Sequence, residues 1–278
     1  MRGIIISIFL LIGPMVQSQS AWTQEKNQWY TQINYSFISN YNEVFGSPDY
    51  TTERFITDNT LQLYAEFGLL QHTTLLVNIP FKFIETGRLS DVTNTAPNTT
   101  QNNEAALGNI SIGVRQQIHR SKWVVAAQFN IEWNSSRYFE SSGIRTGYDA
   151  MTFSPTLNLG RSFNKTYFQS FTGFDLRTNS YSSNFRLGGE FGLLLSKRIW
   201  IIVYVDIVQS LKNGDLNLPL NNLNTALYVN NQSYGGYGLK SIVKIIQNFG
   251  VTGSFGGAFF GENVAKKVAL NFGLYHKF

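Results

Sequence analysis

The chain has no cysteine, few charges and, after its first residues, no long apolar run. Zero cysteine among 278 residues excludes a disulfide framework, a thiolate metal site, a cysteine nucleophile and a lipidated N-terminal cysteine. Charged residues make up 14% of the sequence, against about 25% in an average soluble domain. A mean hydropathy of −0.12, with no 18-residue apolar stretch in the body, rules out a helical membrane protein. Ala, Glu and Lys are sparse, which argues against a helical bundle.

Asn, Ser, Thr, Gln and Gly take the place of charge, beside 22 Phe and 14 Tyr. That composition fits a large β protein that is exported or lies in a membrane. Met1-Arg2 gives a short positive start and Gly3 to Val16 is almost wholly apolar. Small residues at Val16-Gln17-Ser18 and Ser18-Gln19-Ser20 suit signal peptidase. Residues 1–18 therefore read as a secretory signal, and Gly13-Pro14 argues against a buried helix there. Residues 19–27 read as a short periplasmic lead-in and 28–278 as the body.

The body is a series of stretches that alternate with a period of two, longer than soluble strands, which average about 5–6 residues. Twelve are expected: 28–41, 54–67, 73–87, 106–118, 122–135, 149–163, 166–178, 184–195, 198–211, 230–246, 249–261 and 266–278. Short connections (68–72, 119–121, 164–165, 196–197, 247–248) alternate with a set dominated by long ones (42–53, 88–105, 136–148, 212–229). Tight turns at one end and long loops at the other are the wiring of an outer-membrane barrel. Both termini then share the periplasmic side, which demands an even number of strands. The expected fold is all-β, a transmembrane up-and-down antiparallel barrel of about 12 strands.

Charge placement separates a barrel in lipid from a soluble sandwich. One parity carries runs such as Leu61, Leu63, Ala65, Phe67 and Ile201, Val203, Val205, Ile207. The other carries Glu66, Lys82, Arg115, Glu132, Asp175, Arg177, Arg186, Glu190, Asp206, Lys240, Lys244 and Lys267. Arg or Lys facing lipid at mid-bilayer costs about 2–4 kcal/mol, so the charged parity should face inward. These charges (Lys267 at the rim apart), with Tyr64, are the candidate lumen-lining set. Either they pair across the interior and fill it, or they line an aqueous path. Trp29, Trp123, Trp133, Tyr138, Phe139, Tyr167, Trp200 and Tyr275 to Phe278 fall near strand ends, where aromatic girdles form. The strand 166–178 is the weakest, since Phe168, Ser170, Thr172 and Phe174 make a poor lipid face. The last strand alternates up to Phe278, which resembles the signal read by the Gram-negative barrel-assembly machinery; His276 departs slightly from it.

Catalytic chemistry is poorly provided for. His72 and His119 fall in short turns and His276 on the outward parity; none has a second histidine at ligand spacing. A serine nucleophile needs a base, and no histidine lies in the outer half of any expected strand, where barrel phospholipases and deacylases carry theirs. No catalytic residue, metal or cofactor is expected. Asp49, Asp91 and Asp215 are isolated acids and form no calcium loop. The net charge of +5 is diffuse along the chain and has no Lys/Arg run, which does not support nucleic-acid binding. Loop 88–105 is Asn/Thr-rich and reads as an external loop.

Four segments carry a family resemblance. Ala21-Trp22-Thr23-Gln24-Glu25-Lys26-Asn27-Gln28-Trp29-Tyr30 is similar to the opening of outer-membrane barrels resembling the transporters of phenol meta-cleavage pathways, distant relatives of long-chain fatty acid transporters. Ala106-Leu107-Gly108-Asn109-Ile110-Ser111-Ile112-Gly113-Val114-Arg115 resembles their Gly-Asp-x-x-x-Gly-x-Arg strand, with Asn109 where Asp is usual. Arg145 to Ala150 and Gly261 to Val264 also fit. The resemblance implies a passive route for a small solute, aromatic or otherwise apolar. The rival expectation is a non-conducting barrel that anchors or binds a partner. Fatty acid transporters carry an N-terminal hatch; here the first strand starts so soon after cleavage that no hatch is expected.

Overall fold

The computed structural model describes residues 20–90 and 96–278. The signal segment 1–18 and Asp91 lie outside the described residues. The strands are β1 (Trp29–Phe45), β2 (Tyr50–Leu70), β3 (Thr73–Leu89), β4 (Asn102–Leu107), β5 (Ile110–Arg120), β6 (Val124–Trp133), β7 (Tyr138–Phe139), β8 (Ile144–Arg145), β9 (Thr152–Ser162), β10 (Thr166–Arg177), β11 (Asn184–Ser196), β12 (Ile199–Ser210), β13 (Ser233–Lys244), β14 (Phe249–Glu262), β15 (Val264–Ala265) and β16 (Ala269–Lys277). One helical turn, α1, spans Leu220–Leu223.

Neighbouring strands pair antiparallel around a closed ring. β1 joins β2 on one side (Trp29↔Phe67) and β16 on the other (Tyr30↔Lys277). β4 and β5 together make one wall strand, interrupted at Gly108-Asn109, where Gly108 N–H donates to the Pro80 carbonyl at 2.9 Å. Counted so, twelve strands close the barrel, as the alternation implies. Closure pairs each wall strand on both sides over most of its length, the condition for a sheet to stand in hydrocarbon.

The parity argument places the side chains correctly. Outward residues form an exposed apolar belt that includes Leu63, Ile112, Phe129, Leu157, Phe191, Val205 and Phe272, each 44–58% exposed. In water such a belt would be an aggregation surface; around a closed barrel it is a lipid-facing one. Even the weak strand obeys: in β10 Phe168 and Phe174 are outside while Tyr167, Gln169 and Asp175 are buried inside.

Three expectations need correcting. The 42–53 loop is mostly strand, because β1 and β2 stay paired through register shifts near Tyr41 and leave only 46–49 between them. Tyr167, Trp200 and Tyr275 do not join the outer girdle: the two tyrosines are buried inside the barrel and Trp200 packs against their cluster. All three sit one residue off the outward parity, a register that proximity to a strand end does not reveal. Tyr138 and Phe139 belong to the β7–β8 hairpin, with Phe139 packed against the inner cluster at the long-loop end.

Candidate functional site

The lumen has three levels. At the short-turn end, Tyr30, Tyr64, Leu76, Tyr167, Ile202, Ile242 and Tyr275 form one buried cluster contributed by seven strands. Trp22 and Trp200 pack against it. The segment Ser20–Gln28 runs along the inner wall here. Trp22 meets the Tyr167 ring edge-on at 6.0 Å, and the Trp22 carbonyl accepts from Arg115 Nη1 at 2.9 Å. Gln24 N–H donates to Thr74 Oγ1 at 2.8 Å and Gln24 Nε2 to Glu66 Oε2 at 2.5 Å. Gly68 is required by this path, since a Cβ there would stand 1.8 Å from the Glu25 carbonyl oxygen. The segment, expected to be too short for a hatch, still seats its first residues inside this end.

Arg115 binds this level together. It is fully buried, pairs with Glu66 at 3.1 Å and donates from Nε to Gln128 at 2.9 Å. Glu66 also accepts from the Tyr64 hydroxyl at 2.5 Å. A buried charge is tolerated only when paired and hydrogen-bonded in this way.

At the long-loop end, Ile144 and Leu227 reach inward from their loops to Tyr41, Ile56 and Ile84. The two loops are tied to each other by Arg145 Nε to Asn222 Oδ1 at 3.2 Å and the Tyr138 hydroxyl to Asn221 Oδ1 at 2.7 Å. Residues 134–151 and 211–232 therefore fold over the mouth.

Between these levels lies a cavity of about 630 Å³. Its wall is polar and tyrosine-rich: Gln32, Asn34, Gln62, Asn78 and Thr252 alternate with Tyr64, Tyr148, Tyr204, Tyr228, Tyr234 and Tyr237. A second pocket of about 190 Å³ adjoins it and shares Gln62, Tyr64, Asn78, Glu132 and Tyr148. The cavity also reaches a break in the wall. β14 pairs with β16 only as far as Gly256↔Ala269, while Gly257 to Glu262 keep β13 alone as partner. Gly257, Ala258, Val264, Ala265 and Lys267 line the cavity at that break.

The expected lumen charges are almost all where parity puts them, and most are paired. Lys82 meets Asp58 at 3.0 Å, Lys240 meets Glu190 at 3.7 Å, and Arg186 lies 3.7 Å from both Asp175 and Asp206. Glu132 accepts from Asn109 at 3.1 Å. Arg177 stacks over Tyr148 at 4.0 Å and donates to the Ser182 carbonyl at 3.0 Å. Lys244 shares the inward parity but sits exposed at the short-turn end of β13. Asp58 was missed, although it shares the inward parity of β2, as were Tyr204, Tyr228, Tyr234 and the Trp22–Gln24 contacts. Parity could have found Asp58, Tyr204 and Tyr234; Tyr228 stands in a loop, and the path of the N-terminal segment has no periodic signal. His119 Nε2 lies 2.9 Å from Ser121 Oγ on an exposed turn.

No protein-family model matches the chain, and no curated protein is similar to it in sequence. Solved structures do resemble it. A COG4313 outer-membrane channel from Pseudomonas putida F1 aligns with a TM-score of 0.68 at 9% identity, over 96% of this chain and 100% of that one. The shared fold is a closed, twelve-stranded antiparallel barrel. The NanC porin (TM-score 0.51, 7% identity, 90% of this chain and 100% of that one) and the KdgM porin in complex with disordered oligogalacturonate (0.50, 9%, 89% and 99%) share it more loosely. At these identities the likeness is one of fold.

Proposed function

We propose that this barrel sits in the outer membrane of a Gram-negative cell and passes a small aromatic or otherwise apolar solute without energy input. The observation that carries the reading is the central cavity meeting the interrupted β14–β16 ladder. Both axial ends are occupied by packed side chains, so the broken wall offers the shorter way between lumen and lipid. Tyrosine suits such a route, because its ring accepts an apolar body and its hydroxyl a polar edge. Export by segment 1–18, assembly through the strand ending at Phe278 and kinship with the phenol meta-cleavage transporters belong to the same reading. The kinship rests on the strand segments quoted above. The zipped ion pairs favour the rival, a non-conducting scaffold, and the two are separable.

The test is uptake of the apolar fluorophore N-phenyl-1-naphthylamine by Gram-negative cells expressing the wild type, Gly257→Trp or an empty vector. A Cβ at Gly257 would meet nothing closer than Val268 Cγ2 at 3.7 Å, so a side chain can start there without a clash, and an indole adds bulk at the break. Faster uptake than the vector, lost in Gly257→Trp, supports lateral passage. Uptake equal to the vector sinks the transport reading. Faster uptake that Gly257→Trp leaves intact moves the route to the barrel axis.

A further inference from the structure

The charge that looks diffuse along the chain is gathered at one end of the barrel. Four successive turns around the short-turn rim, within 118–125, 161–167, 195–200 and 243–249, contain no Asp or Glu. They carry Arg120, Lys122, Lys165, Lys197, Arg198 and Lys244, all exposed. These turns join β5 to β6, β9 to β10, β11 to β12 and β13 to β14, so they form a continuous arc. The opposite rim is mixed, with Lys266 on Asp49 at 2.8 Å and Lys212 on Glu262 at 3.0 Å.

A second observation says what the arc faces. Arg161 lies on the outward, lipid-side parity of β9, level with the bases of the adjoining turns. Its guanidinium stands 5.2 Å from the Trp123 ring and 4.8 Å from the Phe163 ring. Both rings are exposed, at 37% and 48%. An arginine held between exposed aromatic rings at the edge of an apolar belt has its charge at headgroup depth and its stem in the hydrocarbon. Apolar residues interleave the arc, with Ile118 at 63%, Leu195 at 61% and Ile246 at 64% exposure. A surface built to meet a soluble acidic protein needs the bases; it does not need the interleaved aliphatic residues to stay exposed.

We infer that this arc is a docking site for anionic phospholipid of the periplasmic leaflet, with the lipid phosphate at Arg161, Lys122 and Lys165 and its chains against Trp123 and Phe163. Anionic headgroups draw polybasic surfaces over about a Debye length. The site would orient the barrel and hold its short-turn end against the leaflet, whatever the lumen carries.

The test uses the full chain folded in phosphatidylcholine vesicles doped with dibrominated phosphatidylglycerol or dibrominated phosphatidylcholine, reading quenching of tryptophan fluorescence. The wild type should show a relative affinity about fivefold in favour of phosphatidylglycerol, weakening at high salt. Trp123→Phe should remove most of that selective quenching. Arg161→Gln with Lys165→Gln should bring the two lipids to parity, whereas Lys212→Gln with Lys266→Gln on the far rim should change nothing. Should the first pair prevent folding, judged by heat-modifiable migration, Lys122→Gln with Arg198→Gln tests the same arc on exposed turns. Equal quenching by both lipids in the wild type overturns the inference and leaves the arc to a periplasmic protein. A preference that survives the substitutions in the arc overturns it as well.

Discussion

Replacing Arg115 with methionine should destabilise the barrel more than any exposed charge substitution. The side chains of Arg115 and Glu66 are 0% and 3% exposed, so solvent cannot take over when one partner goes. Methionine keeps the stem volume but leaves the Glu66 carboxylate buried with only Gln24 and Tyr64 donating to it. Stranding one member of a buried pair costs about 3–5 kcal/mol. At 1.4 kcal/mol per decade that lowers the folding equilibrium constant by roughly a hundredfold to a few thousandfold. The assay is reversible urea unfolding in phosphatidylcholine vesicles, extrapolated to water. Adding Glu66→Gln removes the orphaned charge, so the double variant should recover a large part of the loss. A loss below about 1 kcal/mol in Arg115→Met, or a double variant as unstable as the sum of the singles, would refute this account of the pair.

Other outcomes follow from the same geometry. Gly68→Ala puts a Cβ into the Glu25 carbonyl and should displace the N-terminal segment, raising single-channel conductance in planar bilayers; unchanged conductance would mean that this segment does not limit the axial path. Trp22→Ala should act in the same direction but more weakly, because it removes the edge-on contact with Tyr167 and leaves the backbone in place. Near the loop rim, burial pushes the Glu53 carboxyl up. Hydrogen bonds from the Thr99 hydroxyl and from the Asn98 and Thr99 backbone, with the Arg54 charge, outweigh this and hold it below the usual 4.5. A lowered carboxyl stabilises above its unfolded pKa and loses that contribution as pH falls through the folded value. Amide exchange in residues 96–101, corrected for intrinsic rate, should therefore be protected at pH 7 and faster at pH 3, and Glu53→Gln should be fast at both.

Parity explains why so much of the architecture was legible. In a strand each residue's face follows from its neighbour's, so one run such as Leu61, Leu63, Ala65 sorted the rest of β2 and placed Glu66 inside. Repeated over twelve strands, and joined to alternating loop lengths, that pattern specified a closed barrel and the charge set on its inner face. Parity does not say how far a strand continues past the membrane, which is why 42–53 reads as a loop although β1 and β2 remain paired there. Nor does it say where along the axis an inward residue sits: Lys244 and Lys240 share a face, yet one is exposed at the rim and the other is buried beside Glu190.

What remained needed contacts between residues far apart in sequence. Trp22 with Arg115, Ile144 with Tyr41 and Ile56, and Asn222 with Arg145 bring unpatterned segments into the two mouths, and no local period records them. The break between β14 and β16 is of the same kind, since it depends on where β15 turns aside to pair with β1 (Val44↔Ala265). The sequence by itself determined the sheet, its closure and which face meets lipid, because these follow from a two-residue period and the cost of charge in hydrocarbon. Only the tertiary structure decided what fills the lumen, where the β14–β16 ladder stops and that the bases crowd one rim, because those depend on which distant residues meet when the ring closes.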